Sequence, residues 1–508
     1  MSVRKTTKTT PHAANAKSAK QARKTAAAKR FVQVLAGRTP ADVSPTTLWN
    51  SDATTDRAML SYTVGDDPIW DARLVRWDIL GSLGHVEGLW TSGVITDAEH
   101  LRLRRALRAA LAAASSGDLR IGATHEDVHS AVEFWLTERY GKIGERVHTG
   151  RSRNDQVTCD LRLYLKDRVL AIHDAALDLA DRLLAFAALH KDALWPGYTH
   201  TRKAMPSSGG VWAAAFAEGL LDTVESAAGL WPRLDRSPLG SAAGYGVPLK
   251  LDREATARAL GFAGIDHIVT GVQNARGKLE AATLFWCAEL AHDLSKLSSD
   301  VILFSAEEFG WLVLPADLTT GSSIMPHKRN PDLFELTRAR AATVEGDLAS
   351  VSALKARLTS GYHRDFQLLK PPLMRGLDTT LEMLAMLGHA VPRLEVNRRK
   401  GELALYGGVL ATDEVLRRVQ EGGESFRGAY RAVSAAVKRG EDLSIIVPSE
   451  TPTSKKLHDT ILRQRTSTGG LGNLQLGALR VRSRAARRWN ASQRRRFDAA
   501  IAKLAGRS

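Results

Sequence analysis

The sequence has few of the features that mark secreted, membrane-embedded or disulfide-rich proteins. Only two of its 508 residues are cysteines, Cys159 and Cys287, which excludes a disulfide framework and favours a reducing, cytoplasmic location. No uncharged apolar run of about 18 residues occurs, so a membrane span is not expected. The N-terminus also lacks the apolar segment of a signal peptide.

Proline is absent from long stretches, for example between Pro248 and Pro315. Such stretches suit long helices, because an interior proline breaks a helix. In two segments, apolar residues recur at steps of three and four, which predicts two long helices with buried stripes. The stripes are Leu161, Leu165, Val169, Ile172, Ala176, Leu179, Leu183, Phe186 and Leu279, Ala282, Trp286, Leu290, Leu294, Leu297, Val301, Phe304. Strand-like alternation is scarce, so we expect a mainly α fold built as a helical bundle.

Acidic residues are missing from both ends of the chain. Residues 1–41 contain ten Lys or Arg and residues 480–496 contain eight Arg, so the net charge of +16 belongs to the ends. The composition of the N-terminal segment favours a disordered tail, with a nucleic-acid-binding arm or a transit peptide as alternatives. The C-terminal arginines are expected on a helix with a solvated basic face.

Two short motifs suggest a metal or a nucleotide, and both are rejected. HEDVH, from His125 to His129, fits a zinc-protease pattern, but a helix start capped by Thr124, with Asp127 in the first turn, explains it as well. GVQNARGK, residues 271–278, fits a phosphate-binding loop except that Leu279 stands where magnesium needs a hydroxyl. We interpret it as a polar turn before the second long helix.

Four polar stretches remain as candidates for chemistry. They are HTGRSRNDQ (148–156), GYTHTRK (197–203), TGSSIMPHKRNPD (320–332) and YHRDFQLLK (362–370). Small residues let backbone N–H groups and cations approach an anion closely, so such loops suit the binding of carboxylates or phosphates. The third stretch combines small hydroxyls, an ammonium and an amide on a single loop.

Longer matches to these stretches identify a family. HTGRSRNDQV resembles the motif of argininosuccinate lyases, and GSSIMPHKRNPD resembles the signature loop of the fumarase/aspartase superfamily that contains them. DILGSLGH (78–85), EDVHSAVE (126–133) and SPLGSAAGYGVPLKLDRE (237–254) are similar to further parts of the same lyases, in the same order. The resemblance covers roughly residues 46–480.

The resemblance implies a central long-helix bundle of the fumarase/aspartase type with smaller N- and C-terminal helical domains. The expected divisions are a basic tail (1–44), an N-terminal domain (45–149), a central bundle (150–402) and a C-terminal domain with the basic end (403–508). It also implies a homotetramer whose active sites are shared between subunits, with no metal, no organic cofactor and no membrane association.

The activity that the resemblance implies is cleavage of argininosuccinate to arginine and fumarate by general-base elimination. Ser322 is then the base, while His200, paired with Glu335, serves the leaving nitrogen. The residues expected to bind substrate are Ser82, Arg153, Asn154, Thr199, Lys328, Asn330, Tyr362, Gln367 and Lys370.

Departures from the family pattern leave one alternative open, and the basic ends of the chain leave another. His327 and Arg329 stand where argininosuccinate lyases usually carry Gln and Lys, and this form is more similar to adenylosuccinate lyases. A paralogous lyase that releases fumarate from another N-succinyl substrate is therefore one alternative. The other is an inactive lyase fold with a structural or nucleic-acid-associated role. The family's arginine is missing near Val272, so Arg276 or Lys278 is expected to replace it.

Overall fold

The computed structural model describes residues 56–122, 125–439 and 455–507. The expected tail, 1–44, lies outside these residues. The described chain is mostly helical, which confirms the mainly α class, and no helix in it is long and apolar enough to cross a membrane.

The helices are α1 (Arg57–Val64), α2 (Asp67–Asp71), α3 (Val75–Thr91), α4 (Asp97–Ser116), α5 (Val128–Tyr140), α6 (Lys142–Glu145), α7 (Arg153–Leu189), α8 (Gly209–Leu234), α9 (Arg253–Ala259), α10 (Val269–Asn274), α11 (Lys278–Ser305), α12 (Asp332–Lys355), α13 (Lys370–Ala390), α14 (Arg398–Leu403), α15 (Ala411–Gly422), α16 (Phe426–Arg439), α17 (Lys455–Gln464) and α18 (Leu476–Ala505).

Short strands and 3-10 turns connect these helices. The antiparallel pairs are β1 (Leu194–Thr199) with β2 (Arg202–Ser208), β5 (Leu312–Val313) with β8 (Glu395–Val396), and β6 (Thr320–Gly321) with β7 (Arg329–Asn330). The pair β3 (Arg236–Ser237) and β4 (Gly264–Ile265) is parallel. The 3-10 helices are Arg146–His148, Ala316–Leu318, Arg364–Leu369, Val391–Arg393 and Gly408–Leu410.

Five long helices, α7, α8, α11, α12 and α13, form the centre of the structure. Helix α7 packs on α8, α11 packs on α12, and α13 contacts α7, α11 and α12. One apolar core runs through them and extends from Leu74 to Leu504. The predicted bundle is therefore confirmed. It contains five long helices, of which the sequence pattern clearly predicted two.

Helix α7 is the longest element, with 37 residues, or about 54 Å at 1.5 Å per residue. Its first turn is closed by a capping box in which the Ser152 hydroxyl and the Asp155 carboxylate each accept a backbone N–H. All residues of the predicted stripe from Leu161 to Phe186 are buried. Leu163, on another face of α7, is buried too, so neighbouring helices surround α7 instead of covering one side.

A glycine separates α10 from α11 and directly precedes the first residue of α11. Gly277 has φ 78°, and a Cβ on it would lie 2.6 Å from the Cβ of Lys355. Only glycine combines this left-handed backbone with so close an approach. The segment GVQNARGK is thus a turn into α11, as interpreted from the sequence. The preceding Val269 and Thr270 are helical, so no strand leads into it as a phosphate-binding loop would need.

The hairpin of β1 and β2 was not foreseen from the sequence. Pro196 and Pro206 face each other across it, and proline in a strand argues against a sheet because it lacks an N–H donor. Thr199 pairs with Arg202, which leaves His200 and Thr201 as a two-residue turn with φ 51° and 57°. Asn-Gly is the usual choice for such a turn, so a histidine and a β-branched residue here are strained.

The C-terminal arginines lie on α18, but the expectation of a solvated basic face is only partly right. One side of α18 docks on acidic residues of α7 and α8, because arginine forms well-aligned ion pairs with carboxylates. The pairs are Arg482 with Asp222 and Glu225, Arg487 with Asp178 and Asp181, and Arg494 with Asp167. The outer arginines, among them Arg484 and Arg488, are exposed.

A buried ion pair joins α7, α8 and α18. Lys166 is fully buried, and its ammonium lies 2.7 Å from Asp235 and 2.8 Å from the carbonyl of Gly261. Arg496 of α18 binds the same carboxylate, and the ring of Phe497 lies 4.8 Å from the ammonium. Burial lowers the pKa of Lys166 to about 8, against the opposing charge of Asp235. The Asp235 carboxylate therefore offsets a costly buried charge.

Replacing Asp235 with alanine is expected to lower the free energy of unfolding by about 3–5 kcal/mol, because Lys166 stays buried without its carboxylate. The control is Asp222→Ala, which removes an exposed partner of Arg482 and should cost less than about 1 kcal/mol. Urea unfolding followed by circular dichroism measures both. Equal losses in the two variants would contradict the importance of the buried pair.

Candidate active site

A polar pocket of about 220 Å³ lies where α7 begins. Its walls come from segments that are far apart in the sequence. The lining residues are Asp67, Asp71, Glu126, Asp127, His129, Arg153, Asn154, Val157, Arg276, Tyr362, Arg364, Phe366, Gln367 and Lys370. Five residues expected to bind substrate meet in this pocket: Arg153, Asn154, Tyr362, Gln367 and Lys370.

The capping box of α7 places two of these residues. Arg153 and Asn154, from the motif 148–156, are the first two residues of the helix. The Arg153 guanidinium lies 2.8 Å from Asp127 and 3.2 Å from Glu126. The side-chain amide of Asn154 forms no hydrogen bond within the described residues, which leaves it available to a ligand.

Asp127 has a second role as the N-cap of α5, where its carboxylate accepts the backbone N–H of Ser130 at 2.8 Å. This corrects the sequence interpretation, which gave the cap to Thr124, a residue outside the described part of the chain. Burial raises the pKa of Asp127, but the charges of His129 and Arg153 lower it below its usual value. The carboxylate is therefore ionised at neutral pH.

The opposite wall of the pocket comes from the 3-10 helix Arg364–Leu369 and the start of α13. Gln367 donates to Asp67 at 2.6 Å and accepts from Arg364 at 2.7 Å. Lys370 is 3% exposed in its side chain, and its ammonium lies 2.6 Å from Asp67 and 2.5 Å from Asp71. These contacts fix both side chains before a ligand arrives.

Arg276, and not Lys278, reaches the pocket. Its guanidinium is buried, lies 3.4 Å from Glu280, and is 5.1 Å from the centre of the Phe366 ring. Lys278 is exposed and does not line the pocket. Of the two cations expected to stand in for the family's arginine, Arg276 is the one that lines the pocket.

Ser82 lies behind the pocket wall. It is fully buried on α3, and its hydroxyl accepts a hydrogen bond from Arg151 at 2.8 Å. Next to the same turn, Asp155 accepts the backbone N–H groups of Gly240 and Ala242 at 3.0 and 2.8 Å. Burial nevertheless raises the pKa of Asp155 to about 6. These bonds fasten the loop 237–246, part of the family-like SPLGS segment, to the start of α7.

His125 and His129 do not form the pair that a zinc protease needs. The Nδ1 atom of His125 accepts the backbone N–H of Gly122 at 2.9 Å. His129 is buried and its Nδ1 atom is hydrogen-bonded to Asp78. The two rings thus serve different partners, although the spacing in the sequence allows a shared face.

Several charged residues of the pocket were not predicted from the sequence, among them Asp67, Asp71 and Arg364. Asp67 and Asp71 lie on a short helix without any motif, so no sequence pattern marks them. Their spacing of four residues places both carboxylates on one side of α2, toward Lys370. The structure reveals them through the buried ammonium of Lys370, because a buried cation requires carboxylate partners.

The expected catalytic groups lie outside this pocket. Thr199 and His200 are exposed at the tip of the β1–β2 hairpin, and Glu335 is exposed in the first turn of α12. No hydrogen bond or ion pair joins His200 to Glu335 within the described part of one chain. The positive φ at His200 and Thr201 is typical of functional sites, where backbone strain is retained.

Ser322 and Lys328 lie on the loop between β6 and β7, and Asn330 is the last residue of β7. The Ser322 hydroxyl accepts the backbone N–H groups of Met325 at 3.2 Å and Ile324 at 3.4 Å. The Asn330 amide donates to the carbonyl of Gly321 at 3.4 Å, and Lys328 is exposed. The loop therefore presents a hydroxyl whose oxygen already has two amide donors.

The hairpin and this loop lie at one end of the bundle. Trp195 of the hairpin stacks on Trp311 at 5.7 Å between ring centres, and Arg393 after α13 binds Asp317 at 2.5 Å, just before the loop. The pocket lies at the other end, because both α7 and α13 start there. One chain thus carries two separate groups of candidate residues at opposite ends of the bundle, called half-sites below.

Comparison with known proteins identifies the family. Residues 51–346 match the model of a family described as Lyase. An argininosuccinate lyase from Thermotoga neapolitana is 40% identical over 395 residues, covering 78% of this chain and 99% of the relative. One from Sorangium cellulosum is 41% identical over 432 residues, covering 85% of this chain and 97% of the relative.

Solved structures support the same fold at lower identity. EDDS lyase in complex with formate has a TM-score of 0.75 and 22% identity, covering 91% of this chain and 98% of its own. A class II fumarase from Schistosoma mansoni has a TM-score of 0.64 and 16% identity, covering 78% and 91%. Together with the relatives, these matches show that the chain belongs to the argininosuccinate lyase family of carbon–nitrogen lyases, within the fumarase/aspartase superfamily.

Proposed function

We propose that the protein is a cytoplasmic homotetramer that cleaves argininosuccinate to arginine and fumarate in arginine biosynthesis. The observation that carries the proposal is the mixed charge of the pocket at the start of α7. Four carboxylates and four Arg or Lys side chains line it side by side, together with His129. Such a pocket complements a zwitterion, and the arginine half of argininosuccinate carries both a guanidinium and an amino acid group.

The same charges argue against adenylosuccinate. That substrate carries a phosphate, which the carboxylates of Asp67, Asp71, Glu126 and Asp127 would repel. Each pocket cation already has a carboxylate partner, as Arg153 has in Asp127 and Lys370 has in Asp71. A ligand with charges of one sign would have to break these pairs, while a zwitterion can exchange with them.

The fumarate half of the reaction is assigned to the loop between β6 and β7. A proton leaves the carbon beside a carboxylate, and negative charge then develops on that carboxylate. Ser322 takes the proton, because the two backbone N–H groups on its oxygen favour its ionised form. Lys328 and Asn330 stabilise the developing charge as a cation and an amide donor.

The leaving nitrogen is assigned to the hairpin. His200 at its tip acts as the acid, with Thr199 beside it, and Glu335 of another subunit holds the imidazole. Tyr362, Gln367 and Lys370 bind the distal part of the substrate, while Arg153 and Asn154 hold its succinyl end. Ser82 was expected to bind substrate too, but it is buried behind the pocket wall and hydrogen-bonded to Arg151, so we assign it no direct contact.

Assembly follows from the separation of the two half-sites. The pocket and the catalytic loop of one chain cannot meet, so a complete site needs chains that lie antiparallel. Large apolar residues are exposed on the bundle helices, including Phe285 at 58%, Leu336 at 60% and Met386 at 45%. Burying them between subunits explains their exposure in one chain.

The proposed reaction is tested by mixing purified protein with argininosuccinate and following the ultraviolet absorbance of fumarate. We expect steady release of fumarate together with an equal amount of arginine. If the protein releases fumarate from adenylosuccinate but leaves argininosuccinate intact, the lyase chemistry stands and the assigned substrate is wrong.

Lys328→Met is expected to lower kcat by about 10²–10³-fold while KM changes little, because the ammonium acts on charge that develops in the transition state. Lys278→Met, which removes an exposed lysine outside both half-sites, serves as the control and should retain full activity. Steady-state kinetics measures both. A change confined to KM in the Lys328 variant would contradict its role.

Arg276→Met is expected to raise KM for argininosuccinate about 10- to 100-fold with a smaller change in kcat, because a charge-assisted contact to the bound substrate is lost. Lys278→Met is again the matched control, since it lies two residues away but outside the pocket. Equal kinetics for the two variants would show that another cation binds this part of the substrate.

Subunit mixing tests the shared sites. Ser322→Ala and His200→Asn proteins should each be inactive, and exchanging their subunits should restore part of the activity, because some sites then receive both intact groups. Native mass spectrometry of the mixture confirms that exchange has occurred. Absence of recovered activity in exchanged tetramers would contradict sites built from several chains.

A further inference from the structure

Below the floor of the pocket lies a buried polar cluster that the proposed mechanism does not use. Asp78 of α3, His129 of α5 and Asp160 of α7 place one ligand-type atom each within 4.8 Å of one another. Asp78 and Asp160 are fully buried, and His129 is 5% exposed. Gln156 is the fourth member and donates its amide to Asp78 at 3.1 Å.

The cluster has more acceptors than donors. Asp78 Oδ1, both carboxylate oxygens of Asp160 and Gln156 Oε1 are buried without a hydrogen-bond partner among the described residues. Buried oxygens without donors are costly. Either a proton on one carboxyl group or a bound cation would give these oxygens a partner.

A proton on Asp160 is the simpler solution. Its carboxyl group then becomes a donor toward Asp78, and only one carboxylate charge remains to be balanced by His129. Burial, together with the neighbouring charge of Asp78, raises the pKa of Asp160 well above its usual value. Two adjacent buried carboxylates do not both ionise readily, because their charges repel each other.

His129 connects this cluster to the pocket. Its Nδ1 atom is hydrogen-bonded to Asp78 and lies 3.9 Å from Asp160, while the ring lines the pocket. Its Nε2 atom forms no hydrogen bond with a described residue. Asp78 therefore fixes the orientation of the ring and leaves the second nitrogen for a ligand.

The charges around His129 favour its cationic form. Asp78 faces it from α3, Asp71 from α2 and Asp127 from the start of α5, while Asp160 faces it from α7. Burial lowers the pKa of His129, but the charges of Asp78, Asp127 and Asp71 more than compensate, so that its pKa is raised. Asp160, as a protonated neighbour, adds no charge. A cationic imidazole at the pocket floor is a donor suited to a carboxylate.

We propose that protonated Asp160 hydrogen-bonds to Asp78, and that Asp78 thereby holds His129 as a cationic donor whose Nε2–H binds a substrate carboxylate. This inference rests on the proposed function, since argininosuccinate supplies the carboxylate. His129 is then a substrate-binding residue, and Asp78 and Asp160 are positioning residues. Sequence reasoning passed over all three, because His129 drew attention only as half of a rejected zinc motif.

The test uses the full chain carrying Ser322→Ala, so that argininosuccinate binds without being cleaved. Isothermal titration calorimetry then gives its affinity in four further variants. His129→Gln is expected to weaken binding about 10- to 100-fold, the usual range for one charge-assisted hydrogen bond. Asp78→Asn should weaken it by a similar factor, because the ring loses its carboxylate.

Asp160 supplies the decisive comparison. Asparagine has the shape and the neutral charge of a protonated aspartic acid and can donate to Asp78, so Asp160→Asn should bind within about threefold of the parent. Asp160→Ala cannot donate and should bind at least tenfold more weakly. Equal losses in the two variants would show that Asp160 is ionised or binds a cation, and would overturn the proposal.

A readout that does not need the substrate separates this proposal from the proposed function. In thermal unfolding at pH 7, Asp160→Asn should keep the midpoint of the parent within about 2 °C, whereas Asp160→Ala and Asp78→Asn should lower it by several degrees. If argininosuccinate is not bound or cleaved but this pattern holds, the substrate assignment fails and the protonated pair stands. If a chelator lowers the midpoint of the parent protein, a metal occupies the cluster and the pair is wrong.

Discussion

The length of α7 is the constraint on which the rest of the structure depends. A rigid helix of 37 residues keeps its two ends about 54 Å apart, and the functional motifs lie at those ends. The start of α7 carries the pocket, and the chain beyond its end forms the hairpin with His200. Under the proposed function, residues at both ends act on one substrate, so a complete site needs neighbouring copies of the chain.

The pocket shows how a site can be rigid before it is occupied. Its cations are held by carboxylates of the same chain, as Lys370 is held by Asp67 and Asp71. Ligand charges replace partners that are already in place, so few side chains have to be ordered on binding. The loop between β6 and β7, to which we assign the fumarate chemistry, differs, because its residues from Ser323 to Arg329 are exposed.

The sequence predicts the bundle well because burial repeats with the helical period. The stripe of α7 and the proline-free spans are direct consequences of helical packing. The hairpin was missed for the opposite reason, since Pro196 and Pro206 occupy strand positions that normally exclude proline. Tertiary packing overrides the low preference of proline for strands here, and neighbouring residues in the sequence do not reveal that packing.

The residues of the candidate site also fall into two groups, those that a sequence motif marks and those that no motif marks. Arg153, Gln367 and Lys370 lie in motifs that are distinctive on their own, and their meeting in one pocket agrees with the expectation. Asp67, Asp71 and Asp160 carry no local signal, because their roles depend on a buried charge that another segment brings to them. Such residues become visible only when the fold has placed their partners.

The docking of α18 has a consequence for how the structure opens. Arg496 and Phe497 complete the surroundings of Lys166 from a helix that lies more than 300 residues away in the sequence. If α18 detaches, the buried ammonium of Lys166 and the acidic side of α7 are exposed to water at the same time. Partial unfolding of this helix is therefore costly, and α18 and the centre of the bundle are expected to unfold as one cooperative unit, which amide hydrogen exchange would report as similar protection.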